Sequence, residues 1–317
     1  MKGRTLQMKN DPFRNGQNVQ AERNGTAAAE AEQHIRRTGG KRKALLPIAA
    51  AAMCICIAAV VILAVLLPGR DYRAALALYQ AGELDGAISG FRALNGYRDS
   101  EALLDDCYRQ KFGEAAWAAF QEIQVGDTYT FGAYEQDGDP SDGAEPIEWI
   151  VLNKDGLSLL LLSRQALECQ PYLYNCVPVH WENSTVRQWL NYDFLNAAFS
   201  EEEQLRLRKT TVTDDRNPRH NTGKGRATED FVFLLSIIEL KQYTASNSDR
   251  QCTPTEAAAA GGAYTGDNGS CWWWLRSPGE DLNSAAFVSD SGAIKYGGHL
   301  VNDAFTCVRP ALWVSLE

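Results

Sequence analysis

The longest apolar run, with no charged residue in it, extends from Ala44 to Leu67, ALLPIAAAAMCICIAAVVILAVLL. Its least apolar members are Pro47, Cys54 and Cys56. At about 1.5 Å rise per residue, a helix of this length crosses the roughly 30 Å hydrocarbon core of a bilayer. The pattern predicts a single transmembrane helix over 44–67. A cleaved signal peptide would carry a shorter apolar region, roughly 7–15 residues, after a short basic start. Here the run begins after a 43-residue tail and is followed by Pro68, Gly69 and Arg70. A buried soluble helix would need to be apolar on every face.

Beyond the apolar run the period becomes helical. Tyr72, Ala75, Leu76 and Tyr79 share one face, and Gly82 sits in the capping position. Leu84, Ala87, Ile88, Phe91 and Leu94 line a second helix, which Asn95-Gly96 breaks. Asp99 or Ser100 can cap a third helix through Ala102, Leu103 and Tyr108. The expectation is a helical stalk over 71–122. Gly82, Ala87, Phe91 and Leu94 resemble the second half of a tetratricopeptide repeat over about thirty residues. Solenoids need roughly three units to bury a continuous core, so the likeness implies a short tetratricopeptide-like segment and no peptide-binding array.

From Val125 the pattern turns to strands. Thr128–Tyr134 alternates, and Glu148–Asn153 and Leu157–Ser163 flank the turn signal Asn153-Lys154-Asp155-Gly156. Leu159–Leu162 is apolar on both faces, which predicts a central strand. A helix over 185–199 follows, capped by Asn183 or Ser184, with Val186, Trp189, Leu190 and Phe194 inward. Ser236 and Glu239 have capping-box spacing. Strands return at Trp272–Leu275, Ala285–Val288, Ala293–Tyr296 and Val308–Val314, with a turn at 289–292. Strands, then helices, then strands predict an α+β domain with a mostly antiparallel sheet over 125–317.

Charge orients the chain. Residues 1–43 hold ten Lys/Arg against four Asp/Glu, about +6, while the whole chain is −9. The collar Lys41-Arg42-Lys43 belongs on the cytoplasmic side of the span. The expected layout is a disordered basic cytoplasmic tail over 1–43 beside anionic lipid, and an acidic domain outside the cell. The basic residues of the tail are scattered, so no nucleic-acid partner is expected.

GDTYTFGAYEQD, EPIEWIVL, CWWWLRSPG and VRPALWVSL, in this order, resemble a widespread bacterial domain of unknown function that is often fused to membrane anchors, zinc ribbons or helical repeats. The likeness spans Val125–Glu317. The last fifty residues also resemble the C-type-lectin-like fold, which includes the formylglycine-generating enzymes and the variable receptor proteins of bacterial diversity elements. The resemblance implies a C-type-lectin-like α+β domain, and a fold does not fix a function.

Candidate chemistry is sparse. Trp272 and Trp274 share one strand face and Trp273 the other, so at least one Trp is core. Trp273, His299, Asn302 and Asp303 are the candidate ligand contacts, because the small polar stretch Gly297–Phe305 reads as a loop near the end of the sheet. Arg276 and Arg309 sit in the strongest motifs and need partners if buried; Glu145 and Glu148 are the candidates for a structural ion pair. Five of the eight cysteines lie in the outer domain. Cys252–Cys271 is the preferred disulfide and Cys169–Cys176 the second; Cys307 stands where the resemblance implies glycine, which marks it as the odd thiol. A copper-binding cysteine pair, as in the formylglycine-generating enzymes, is the alternative, although their flanking pattern is missing. Asp137, Asp139 and Asp142 form an acidic loop that calcium would suit, but the DGDPSDG spacing departs from the EF-hand pattern. Glu145-Pro146-Ile147 and Val301-Asn302-Asp303 match calcium-lectin ligand motifs only in part. No catalytic residue, metal site or cofactor is expected. The functional expectation is a single-pass membrane protein presenting a binding or sensing module for a glycan, cell-wall fragment or protein. The alternatives are a metal-dependent modifying enzyme of formylglycine-generating type and a structural envelope protein.

Overall fold

A computed structural model describes residues 67–316. The expected basic tail and all but the last residue of the expected span lie outside them. Among the described residues no helix is long and apolar enough to cross a membrane. The described residues divide into two compact units, which part between Leu104 and Asp105.

The first unit is a helical hairpin of α1 (Leu67–Gln80) and α2 (Leu84–Ala93). Tyr72 and Ala75 face Ala87, Ile88 and Phe91, all buried. The Tyr72 and Tyr79 rings lie 6.2 and 6.3 Å from the Phe91 ring. A Cβ on Gly90 would come within 2.7 Å of the Ala75 Cβ, so glycine sets how closely these helices cross. The Tyr72 hydroxyl donates to Asp99 Oδ1 at 2.5 Å and ties down the next segment. The third helix, α3 (Ser100–Phe112), spans the division between the units.

The second unit opens with the end of α3 and with α4 (Glu114–Glu122). Trp117 stacks on Tyr108 at 5.4 Å. Lys154 donates to the carbonyls of Phe120 and Ile123 at 2.6 and 2.5 Å. Its ammonium also lies 4.1 Å from the Phe120 ring centre. A lysine on those last carbonyls satisfies groups that a helix end leaves open. This helix therefore packs as part of the strand domain.

Two five-stranded sheets form the body. The first uses β1 (Thr128–Tyr134), β2 (Glu145–Asp155) and β3 (Ser158–Ser163), then β12 (Ala311–Ser315) and β7 (Val232–Phe233), antiparallel throughout. All of SLLLLS in β3 is buried, as its run of leucines predicts. The β2–β3 turn falls at Gly156-Leu157, with Asp155 facing Ser158. It lies later than the Asn-Lys-Asp-Gly signal predicts: past a one-residue register shift near Leu152, β2 goes on pairing to Asp155. The second sheet has the order β10 (Ile294–Leu300), β9 (Ser284–Val288), β8 (Trp273–Pro278), β11 (Cys307–Val308), β4 (Glu168–Cys169). Only β8–β11 in it is parallel. A short pair, β5 (Thr210–Val212) with β6 (Thr228–Asp230), stands apart. The architecture is α+β with mostly antiparallel sheets.

Several expectations change in detail. The strand expected over Val308–Val314 is two strands in different sheets, and Arg309-Pro310 is the crossing between them. Proline has no N–H to give a ladder, so pairing breaks there. Gly297, Gly298 and His299 belong to β10 and not to a loop. The helix expected over 185–199 comprises α5 (Thr185–Trp189), a π-turn at Leu190–Phe194 and α6 (Leu195–Ala198), with Ser184 as the cap. Ser200 and Glu203 close a capping box on α7 (Glu201–Arg206). Ser236 and Glu239 do the same on α8 (Ile237–Tyr243).

Candidate functional site

A basic surface lies on the β9–β10 hairpin. All of β9 is buried, while β10 is half-exposed. Register shifts between Lys295 and His299, where Gly298 adopts φ +81°. A Cβ there would meet the Ala285 carbonyl oxygen at 2.6 Å. Glycine thus permits the bulge that turns His299 toward the aromatic cluster. A facing loop is pinned to the hairpin by Asn217, whose amide donates to the carbonyls of Pro278 at 2.9 Å and Tyr296 at 2.6 Å. Thr222 adds a bond to the Gly279 carbonyl at 2.7 Å. Between them lies a cleft of about 450 Å³ lined by Arg219, His220, Phe287, Lys295, Tyr296 and His299, among others. The Arg219 guanidinium lies 3.8 Å from the Tyr296 ring centre. Arginine held over a ring keeps its donors free at the edge of the stack.

His299 closes the cleft. Its ring lies 5.7 Å from Trp272 and 5.9 Å from Phe287. His299 Nδ1 is 3.5 Å from Asp303 Oδ2 and makes no hydrogen bond. Asp303 instead accepts from Thr306 Oγ1 at 2.6 Å. Asn302 is exposed. Two of the four expected ligand contacts, His299 and Asp303, are therefore neighbours, and Asn302 lies in the same turn. Trp273 is a correction. It is fully buried, with its indole N–H donating to the Arg250 carbonyl at 3.0 Å and Arg309 over its ring at 5.0 Å. Trp272, just ahead of β8, is the half-exposed member of the triplet and stacks with Tyr264 at 4.3 Å. β8 is covered on both faces, so strand alternation does not bring Trp273 to solvent.

The ion-pair partners also differ from expectation. Arg276 pairs with Glu239: Nη2 donates to Oε1 at 2.7 Å and Nη1 to Oε2. Its remaining donors reach the carbonyls of Thr213 at 2.8 Å and Leu234 at 2.7 Å. Glu239 was legible in the sequence as a capping residue, and the same carboxylate does both. Arg309 donates to the carbonyls of Ser163 and Arg164. Glu148 faces the exposed Arg164 at 3.0 Å, and Glu145 accepts the Gln136 N–H at 2.6 Å. The two glutamates thus stay beside their own strand. No sequence signal picked out the buried Asp230, which holds Arg187 at 2.6 Å and the Trp181 indole at 2.9 Å.

Two other clusters have chemistry. Asp214 is buried and accepts from Gly225 N–H at 3.0 Å, with His180 Nδ1 at 3.1 Å. Burial raises its pKa, and the His180 ring and two backbone N–H groups draw it back down. The pocket around it leaves no room for a ligand. Glu135, Asp137 and Glu145 bring carboxylate oxygens within 4.8 Å of one another, a set that could hold a hard cation. Asp137 is the sole member of the expected acidic loop in this set; Asp139 turns to Ser141 instead, at 2.5 Å. The six described cysteines are free thiols. Cys252 and Cys271, the preferred disulfide, are in contact; Cys169 meets Cys307 rather than Cys176, which is exposed.

No curated protein and no solved structure matches the chain. Residues 157–316 match the model of a family described as a domain of unknown function, DUF6273. The match begins at the β2–β3 turn and includes CWWWLRSPG, VRPALWVSL and every residue lining the cleft. It covers half of the 317 residues, and the chain belongs to this domain-of-unknown-function family, DUF6273.

Proposed function

We propose that the chain is a membrane-anchored binding module whose C-type-lectin-like domain stands outside the cell and takes an anionic glycan, such as an acidic cell-wall fragment, in the β9–β10 cleft. The observation that carries this reading is the convergence of Arg219, His220, Lys295 and His299 around the half-exposed Tyr296 ring. Ring faces suit the apolar faces of sugars, and the cations suit carboxylate or phosphate substituents. The cleft is basic in a chain of net charge −9, so it concentrates anions locally. The charge-free run over 44–67 behind Lys41-Arg42-Lys43 supports the anchor and its orientation.

The test is binding of the full chain, in detergent, to an acidic oligosaccharide and to its neutral counterpart. The acidic one should bind, and more weakly as salt rises. The double substitution Arg219→Ala with Lys295→Ala should raise Kd about tenfold or more. Equal binding of the neutral sugar, or an unchanged Kd in the variant, overturns the assignment.

A further inference from the structure

Four of the six described cysteines gather where β8, β11 and β4 meet, away from the residues that line the cleft. Cys307 and Cys169 are direct register partners on antiparallel β11 and β4. Neighbours of this kind have Cα atoms about 4.5–5.5 Å apart, inside the range a disulfide spans. Cys271 precedes β8, and its N–H donates to the Cys252 carbonyl at 2.7 Å. The Cys307 N–H donates to the Trp272 carbonyl at 2.8 Å, and Cys307 is the register partner of Trp273, two residues from Cys271. The thiols follow the backbone: Cys252 interacts with Cys271, Cys271 with Cys307, and Cys307 with Cys169. Cys169 is half-buried and the other three are buried. The sulfurs thus run in a file from the surface to the interior.

A file differs from a metal cage. Among the described residues no three cysteine sulfurs lie within 4.8 Å of one another. Tetrahedral zinc, with Zn–S bonds near 2.3 Å, would draw all its sulfurs to roughly 3.8 Å apart. Thiol–disulfide exchange needs only a thiolate next to one sulfur of a disulfide, passing through a mixed disulfide.

Arg309 supplies the second observation. It is 1 % exposed, and its Nη1 has no hydrogen-bond partner. No carboxylate among the described residues pairs with it, and a buried guanidinium needs an anion. Its charge acts on Cys252 and Cys271. Hydrogen bonds from Cys252 and Cys307 lower the Cys271 pKa to about 5, and Arg309 adds to this against the cost of burial. Burial pushes Cys252 up, and contact with Cys169 and Cys271 pushes Cys307 up. Cys271 is therefore the thiol of the file most easily deprotonated, its poised nucleophile.

We propose that these four cysteines form a thiol–disulfide relay that takes oxidising equivalents from an external disulfide at Cys169 and stores them as a Cys252–Cys271 bond. Cys169, deprotonated, attacks an external disulfide and releases one thiolate. Cys307 then loses its proton and displaces the other external thiolate, forming Cys169–Cys307. The Cys271 thiolate attacks Cys307 Sγ, forming Cys271–Cys307 and freeing Cys169 as thiolate. Cys252 gives up its proton and attacks Cys271 Sγ; Cys252–Cys271 forms, and Cys307 leaves and is reprotonated. Each step makes one S–S bond and breaks one. In sum, two electrons pass from Cys252 and Cys271 to the external disulfide, whose halves leave reduced.

The full reduced chain, in detergent, is mixed with oxidised glutathione, quenched with acid at intervals, alkylated and mapped by mass spectrometry. Glutathione should appear first on Cys169 and Cys252–Cys271 should accumulate. Cys169→Ser, at a half-buried position, should slow that product about tenfold or more while leaving its final extent unchanged. Cys176→Ser, outside the file, should change neither. The relay is overturned if Cys169→Ser oxidises at the wild-type rate. It is equally overturned if Cys252 and Cys271 stay reduced, or if the reduced chain carries stoichiometric zinc.

Discussion

Arg276 and Glu239 show how one side chain can serve two scales. The carboxylate accepts the Ser236 N–H at 2.9 Å, closing the start of α8, while gripping a guanidinium with no exposed surface. Glu239→Gln leaves the cap a hydrogen-bonding group and removes the counter-charge. Breaking a buried pair from one side strands the other charge. Glu239 is partly open to solvent, so the cost should be about 2 kcal/mol, below the full buried-pair range. Urea unfolding would read this as a lower midpoint at unchanged slope, and a midpoint within error of wild type would refute it. Asp214 gives a pH effect of defined sign. Its folded pKa is raised, so the native state keeps the proton at pH values where the unfolded chain has lost it. Stability from this group is complete at low pH and declines as pH rises from the ordinary aspartate value, about 4, through the raised one. Asp214→Asn cannot titrate and should flatten that part of the stability–pH curve above the ordinary aspartate value of about 4. Denaturation midpoints across that range decide the matter; parallel curves for variant and wild type would exclude this role.

Among the elements, β10 is the one on which the cleft depends. Gly298 is held at φ +81° against the Ala285 carbonyl, whereas Gly297 has no positive φ and a nearest neighbour 3.9 Å away. Gly298→Ala should cost about 1–3 kcal/mol and loosen the cleft, while Gly297→Ala should be close to neutral. Thermal unfolding of the two variants side by side is the measurement, and equal effects would show that the bulge carries no strain. Much at this scale was legible in advance. The capping box at Ser236 and Glu239, the Ser184 cap and the all-leucine β3 are local patterns, written within a few residues. The Arg276–Glu239 pair was not, because it joins two elements 37 positions apart that meet only after folding. The partition of the tryptophans failed for a related reason. Alternation predicts two faces, but β8 is sandwiched, and solvent reaches Trp272 only because it lies before the strand begins. The split of Val308–Val314 hinged on Pro310, a signal present in the sequence whose effect on sheet membership needed the partner strands.

For the whole molecule, the proposed compartment rests on residues 44–67. Protease added to intact cells should digest the C-terminal two-thirds of the chain and spare the basic tail. A full-length protein surviving until the cells are lysed would place the cleft in the cytosol and remove the extracellular ligand. The four-cysteine file was invisible as a group in the sequence, since Cys169, Cys252, Cys271 and Cys307 are brought together by a parallel β8–β11 contact that no local pattern announces. By its sequence α4 reads as one more stalk helix, and its fastening to Lys154, more than thirty positions on, has no local signal. That fastening has a mechanical meaning. A pull from the N-terminal side would reach the sheet along the backbone from α4 into β1, and Lys154 would have to let go of the Phe120 and Ile123 carbonyls before α4 could peel away from the β2–β3 hairpin.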